Sequence, residues 1–465
     1  MKIPLSPPRL NDLLAQADPV AIGRLVGGSP THKGGYLHWD ELRHRTPPEG
    51  LTPEQWWAAT KLARQGMLKP LPLTDKHGQP IRFAMPDPVL RALHNIDRQA
   101  AGEIAMSEQA VSGEDRNRYL VSSLIEEAIT SSQLEGASTT REEAKDMLRS
   151  GRSPRDRSER MILNNYLVMA QIRELKQEPF TPERILELHR IVTDGTLDDP
   201  SAAGRLRLPH ERISVMDATH TTVLHEPPPA GELAKRLERL CTFANQDVDA
   251  KPFVHPVIRA ILIHFMMGYD HPFVDGNGRT ARALFYWSMA RSGYWLMEYL
   301  SISRLIRQAP VKYARAYLHT ETDDNDATYF ILHQLDVIER AIEALHQYLA
   351  RKIQEQRSAE GLLRKEPRLA DALNHRQVAL LSHALRHPGH AYTVASHQRS
   401  HQIVTQTART DLLKLVELGL LEKRKRGRAF AFYAPPDLAN RLRAATKTSS
   451  QAPSPSGRRA HGCAR

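Results

Sequence analysis

Residues 271 to 282 have the composition of a phosphate site: His271-Pro272-Phe273-Val274-Asp275-Gly276-Asn277-Gly278-Arg279-Thr280-Ala281-Arg282. Gly276 and Gly278 leave the backbone N–H groups uncovered, so they can close on an anion. The apolar run behind them, Ala283 to Trp287, has helical character. It would put the glycine turn at a helix N-terminus, where free N–H groups and the helix dipole favour negative charge. Arg279 and Arg282 share a face of that first turn, and two guanidiniums on one face suit the outer phosphates of a nucleotide. Asp275 is a hard oxygen ligand of the kind Mg²⁺ takes when it bridges phosphates. His271 titrates near neutral pH and is the candidate general base.

These residues resemble, at every specified position, the signature of the Fic family, His-Pro-Phe-x-Asp/Glu-Gly-Asn-Gly-Arg-x-x-Arg. The resemblance implies transfer of AMP from ATP to a Tyr, Thr or Ser hydroxyl of a target protein, with release of pyrophosphate. It implies that His271 takes the proton of the attacking hydroxyl and that Asp275 holds Mg²⁺ between the α- and β-phosphates. Gly276, Asn277 and Gly278 would form the anion hole, the Asn277 side chain lying on phosphate oxygens. Arg279 and Arg282 would hold the β- and γ-phosphates. Such transfer is chiefly positioning and charge neutralisation, which this set supplies.

A second stretch, Ser131-Ser132-Gln133-Leu134-Glu135-Gly136, fits the family's inhibitory motif, Ser/Thr-x-x-x-Glu-Gly/Asn. It lies N-terminal to the catalytic motif, as in the class whose inhibitory helix precedes the core. The resemblance implies that Glu135, with Ser131 and Gly136 completing the motif, pairs with Arg282 and withholds it from the γ-phosphate. A carboxylate there also repels the triphosphate.

The elements that must position these groups read as mainly α. Residues 1–112 form an N-terminal α/β extension. In it Thr52-Pro53-Glu54-Gln55 starts a helix through a capping box, Trp56 and Trp57 pack, and Asp75 to Gly78 turns between two short strands. Residues 113–350 form the helical core, with the inhibitory helix at about 120–136. Thr140 and Thr181 start further helices. His189 falls in the second of these, and the sequence gives it no role. From 211 to 226 the period changes to two, as in a β-hairpin closed by Pro227 to Pro229. In Fic proteins a hairpin here, the flap, holds the target segment by strand addition. Two helices then lead to the motif, the second with Ile258, Ile261, Leu262 and Phe265 inward. Asp270 either raises the basicity of His271 or points away. A metal hydrolase using His264, His271 and Asp275 leaves Asn277, Arg279 and Arg282 unexplained. Asp323-Asp324-Asn325-Asp326 reads as a solvated acidic loop.

Residues 351–369 read as an exposed helix or linker. The pattern of 370–437 resembles a winged helix-turn-helix: three helices, starting at Asn374, Thr393 and Thr405, then a basic hairpin. That resemblance implies double-stranded DNA as a partner, with Gln406, Thr407 and Arg409 near base edges. Arg424, Lys425, Arg426 and Arg428 would lie on phosphates. The alternative for this domain is protein binding. Residues 438–465 read as a disordered tail, rich in Ser, Pro and Arg.

The 465 residues exceed one ordinary core, so two or three domains are expected. The formal charge of +11 favours an anionic partner. Only Cys241 and Cys463 occur, the latter in the polar tail, which argues against a structural disulfide and for a reducing compartment. With no apolar leader at the N-terminus and no spanning run, the expectation is a soluble cytoplasmic protein that avoids membranes. A homodimer is compatible with the sequence. Three other functions use the same residues: a DNA-binding regulator whose Fic core senses nucleotide, AMP removal by water, and transfer from another nucleotide donor.

Overall fold

The computed structural model describes residues 1–15, 27–101, 113–217, 219, 221–247, 249–251, 253–364, 373–386, 390–426, 429–435, 437–438 and 441–442. The chain divides into two compact units, Met1–Ser107 with Tyr119–Leu345, and Glu108–Arg118 with His346–Arg465. The expected N-terminal extension is therefore part of the same unit as the helical core.

The first unit opens with α1 (Leu10–Ala15), α2 (Trp39–Leu42) and α3 (Pro53–Gln65). Thr52 and Gln55 form the expected capping box of α3, and Trp56 and Trp57 are buried against Trp39 and Leu42. Strands β1 (Lys69–Thr74) and β2 (Pro80–Phe83) pair antiparallel. Asp75 ties their turn by accepting from the N–H groups of His77 and Gln79. Helix α4 (Asp87–Ile96) follows.

The acidic stretch 323–326 departs from the solvated loop expected of it. Asp323 and Asp326 are buried. Lys61 of α3 donates to Asp323 at 2.6 Å, Tyr329 donates to Asp323 at 2.7 Å and Tyr36 to Asp326 at 2.6 Å. Arg82 of β2 pairs its main chain around Asp326. The N-terminal region thus supplies partners from more than two hundred positions away, which a local reading of the acidic run omits.

Around the site stand α5 (Gly113–Leu134), α6 (Arg141–Ser150), α7 (Arg157–Leu175) and α8 (Pro182–Thr193). The hairpin β3 (Val215–Met216) and β4 (Val223–His225) pairs antiparallel with an irregular register. Then come α9 (Leu233–Ala244), α10 (Pro256–Asp270) and α11 (Asn277–Arg291). Helices α10 and α11 pack on each other and form the centre. Sequence patterning gives α10 one inner face, yet Val257, Ala260 and Ile263 are as fully buried as Ile258, Ile261 and Leu262. A helix apolar all round is enclosed on every side. Helices α12 (Ile302–Gln308), α13 (Pro310–Thr322) and α14 (Thr328–Arg364) complete the series. Helix α14 runs through most of the expected linker.

In the second unit α15 (His375–Arg386), β5 (Ala391–Tyr392), α16 (Val394–His401) and α17 (Thr405–Glu417) precede β6 (Glu422–Arg426) and β7 (Ala429–Tyr433). The strands form an antiparallel sheet of order β5-β7-β6. Asn374 and Gln377 cap α15 reciprocally, and Thr393 caps α16. Thr405 is the first residue of α17 rather than its cap, which is Val404. Asp411 of α17 accepts from Arg376, Asn374 and, at 3.2 Å, the His397 ring, tying the three helices together. Leu438 and Leu442 are buried in this unit's apolar core. Packing therefore continues past the expected start of the tail at 438, because these two leucines are spaced to share one face. Residues 443–465 lie outside the described residues.

Candidate active site

The site is built where α10 ends and α11 begins. His271 is the C-cap of α10, at φ 43 in the left-handed region. That conformation is uncommon for a non-glycine residue and is held by its surroundings. The Nδ1 of His271 lies 3.0 Å from the Gly268 carbonyl. A carbonyl only accepts, so Nδ1 carries the proton and Nε2 of the neutral ring has the lone pair. Burial lowers the pKa of His271, and the Gly268 carbonyl opposes this. The ring is thus uncharged at neutral pH, the state a general base requires.

Gly276 caps α11 at φ 82, and a Cβ there would press on Thr193 and His189. The first N–H groups of α11 have no carbonyl in a preceding turn, so they are the anion-binding end of the helix. At Gly278 a Cβ would collide with the carboxylate of Glu135 and lie 3.0 Å from Nη1 of Arg282. An anion already lies over this turn, and it belongs to the protein.

Glu135 reaches it from the end of α5. Its Oε1 accepts from Nη2 of Arg282 at 2.7 Å. Ser131, one turn earlier, accepts from Nε of Arg282 through its hydroxyl at 2.9 Å and from Nη2 through its carbonyl at 3.0 Å. Arg282 is almost wholly enclosed, while Glu135 is 26% exposed. Burial disfavours the Arg282 charge, but Glu135, Tyr313 and Glu127 together outweigh it and the pKa is raised. Gly136 follows at φ 93 and turns the chain away. Deeper on α5, the carboxylate of Glu127 accepts from the hydroxyls of Ser301 and Ser303 and from the Ser303 N–H. Burial raises its pKa.

Other motif residues sit differently from expectation. The Asn277 side chain is spent on its own loop, with Oδ1 accepting from Phe273 N–H at 2.9 Å and Nδ2 donating to Phe273 O at 2.8 Å. It braces the loop instead of facing the anion cradle. Arg279 is fully buried. It donates to the Val192 carbonyl at the end of α8, at 3.0 Å, and lies 3.4 Å from Asp275. In this arrangement Arg282 is the motif arginine at the cradle, and Arg279 joins α11 to α8.

Asp275 is 40% exposed. Its Oδ1 accepts from Gly276 N–H at 2.5 Å, and Oδ2 has Arg157 at 3.8 Å. Among the described residues no group of three or more His, Cys, Asp or Glu is arranged to hold a metal ion. One exposed carboxylate beside a phosphate cradle does fit Mg²⁺, which commonly takes one or two protein carboxylates with substrate phosphates and water. Asp270 points away from His271, to Arg236 at 2.8 Å. His264 sits in the core against the Tyr313 hydroxyl at 2.9 Å, apart from any ligand role with His271 and Asp275.

Two residues were missed by sequence reasoning. His189 is buried, stacked on Phe273 with centroids 3.7 Å apart, and hydrogen-bonded to the Asp275 carbonyl at 2.9 Å. A signal was available: it lies four residues after Ile185 and three before Val192, on the buried face, where a polar ring needs partners. Arg207 donates from Nε to the His271 carbonyl at 3.0 Å, from its main chain to Pro272 O at 2.9 Å, and to Pro228 O. No local pattern marks it.

The fold is mainly helical, and one part of the chain resembles a known family. Residues 179–289 match the Fic/DOC family. The chain is 37% identical over 114 residues to the protein adenylyltransferase Fic of Drosophila willistoni and 38% identical over 114 residues to that of Drosophila melanogaster. Each match covers 24% of this chain and 20% of the relative, so the chain spans about a fifth of the length of the curated relatives it matches. Among solved structures, a Fic family protein from Desulfovibrio desulfuricans G20 aligns over 75% of this chain and 96% of its own, at TM-score 0.47 and 18% identity. Fic-1 (residues 134–508) from C. elegans aligns over 56% and 72%, at TM-score 0.40 and 22% identity.

Proposed function

We propose that the chain is a protein adenylyltransferase that transfers AMP from ATP to a hydroxyl of a target protein and is held inactive by Glu135. The observation that carries this reading is the Glu135 carboxylate lying over Gly278 and bonded to Arg282, on the ground a γ-phosphate would need. The names of the Drosophila relatives support the activity. His271, with Nε2 free, accepts the proton of the target hydroxyl. The N–H groups at the start of α11 receive the α-phosphate, and Arg282, once released, binds the outer phosphates. Asp275 would hold Mg²⁺, which when bound neutralises charge on the phosphates. The β3–β4 hairpin is the segment against which an extended target strand would lie; His225 anchors it to the core through the Tyr269 carbonyl at 2.7 Å.

Labelling with α-³²P-ATP and Mg²⁺ tests the reading. Glu135→Gly should raise labelling about tenfold or more, as expected for removing a charge-assisted hydrogen bond worth roughly 1.5–3 kcal/mol that competes with nucleotide. Adding His271→Ala should lower it again by about 10²-fold or more. Equal labelling in the wild type and Glu135→Gly, both folded, rejects inhibition. Equal labelling with and without His271 rejects the base.

A second activity is proposed for the second unit, binding of double-stranded DNA. β6 is an edge strand with Lys423, Arg424 and Lys425 exposed. Gln406 and Arg409 are exposed at the start of α17, with Thr407 partly buried beside them. The Arg426 backbone closes the β6–β7 pair with Ala429, and Arg428 lies outside the described residues. Three helices and an antiparallel hairpin with one basic strand are the parts of a winged helix-turn-helix.

A further inference from the structure

We infer that His189 is a positioning residue of the phosphate loop, fixing the Asp275–Gly276 peptide through its ring. This rests on the reading of residues 271–278 as the loop that receives phosphate. The Gly204 N–H lies 3.0 Å from Nδ1 of His189. A backbone N–H only donates, so Nδ1 is the acceptor and the ring proton sits on Nε2. Nε2–H therefore donates to the Asp275 carbonyl at 2.9 Å. One ring bridges the segment after α8 to the loop, with both nitrogens committed and the tautomer set by its partners.

The consequence falls on the peptide that matters most. The N–H of the Asp275–Gly276 peptide donates to the Asp275 carboxylate at 2.5 Å, and the next residue begins α11. Holding its carbonyl toward His189 turns this N–H the opposite way, to that carboxylate, and fixes the peptide plane from which the first turn of α11 starts. Phe273 stacks on the same ring with the planes within 9°, and Asn277 clamps Phe273. Arg207, three residues beyond Gly204, grips the His271 and Pro272 carbonyls at the other end of the loop. Every named partner of His189 lies on the loop or on the segment that braces it. Burial lowers the pKa of His189 to about 4, consistent with a ring that stays neutral and keeps both bonds.

Two substitutions separate the ring's roles. In His189→Gln the side-chain amide nitrogen reaches the place of Nε2 and can donate to Asp275 O. In His189→Asn the side chain reaches only the place of Nδ1, so it can satisfy Gly204 but not Asp275. Both are placed in Glu135→Gly protein and compared with the Glu135→Gly parent. The rate is read by AMP labelling, and the loop by the amide resonance of Gly276, whose nitrogen senses hydrogen bonding to the preceding carbonyl. We expect His189→Asn to lower kcat by about 10- to 100-fold, the cost of an ångström-scale misplacement, and to move the Gly276 resonance. His189→Gln should recover most of the rate and the parental resonance. Equal rates and equal Gly276 resonances in the two variants overturn the proposal. If the parent does not label, the transferase reading fails, and the Gly276 resonance alone decides the role of His189.

Discussion

At His271 two facts of geometry agree with one electrostatic direction. The Gly268 carbonyl claims Nδ1–H, and burial keeps the ring neutral below the ordinary histidine value of about 6.5. A base whose pKa is lowered stays competent at pH values where a free histidine is protonated. The kcat/KM of Glu135→Gly should therefore keep its acid limb below pH 6.5, measured by labelling across pH; an inflection above that value would show that another group, or a charged ring, limits the reaction. The twelve-residue motif was legible residue by residue because its types are chemically specialised. Its internal bonding was not. Asn277 and Arg279 have the chemistry of phosphate ligands, and only the closure of the loop on Phe273 and the end of α8 on Val192 shows where their donors go.

Helix α5 is the element on which the proposed inhibition rests. Its last turn supplies Ser131 and Glu135 to Arg282, and two turns earlier Glu127 fastens the helix to Ser301 and Ser303. Burial of that carboxylate is offset by these bonds and by the charge of Arg282, so Glu127→Ala should loosen the helix by about 1.5–3 kcal/mol. Labelling should rise in Glu127→Ala alone and should not rise further when the change is added to Glu135→Gly. A fall in both backgrounds would mean that Glu127 supports the core rather than the inhibitory seat. The sequence marked this helix by its apolar stripe and its short motif, and capping signals at Thr52, Thr140 and Thr181 marked others, each with its expected side-chain bond in the structure. Glu127 was silent because its partners lie more than 170 positions away.

Across the whole molecule the two units present different chemistries, the candidate site around His271 and Arg282 in one and the exposed basic strand β6 in the other. If the second unit binds DNA, affinity should fall with salt as counterions are released. Replacing Arg424, Lys425 and Arg426 by alanine should flatten the slope of log affinity against log salt by up to about three units, read by fluorescence anisotropy on a random duplex. An unchanged slope would remove the basic strands from the interface. Helices α3, α6, α8, α10 and α15 and the hairpins could be read from local periodicity and capping, whereas α1, α2 and α4 were not read. The union of the N-terminal region with the core could not, since it depends on Lys61, Tyr36 and Arg82 meeting the acidic stretch 323–326.

In the proposed inhibition, the pairing of Arg282 with Glu135 also sets which state of the protein is at rest. Arg282 is a buried cation, and Glu135 is its counterion. On the proposed reading, opening the Glu135 seat would strand that charge until a triphosphate arrived, so the competent form would be the strained one and nucleotide the missing half of an internal ion pair. Substrate would then do more than occupy the site: its abundance would set how much of the population is unlocked, with the helix and the phosphate as rivals for one guanidinium.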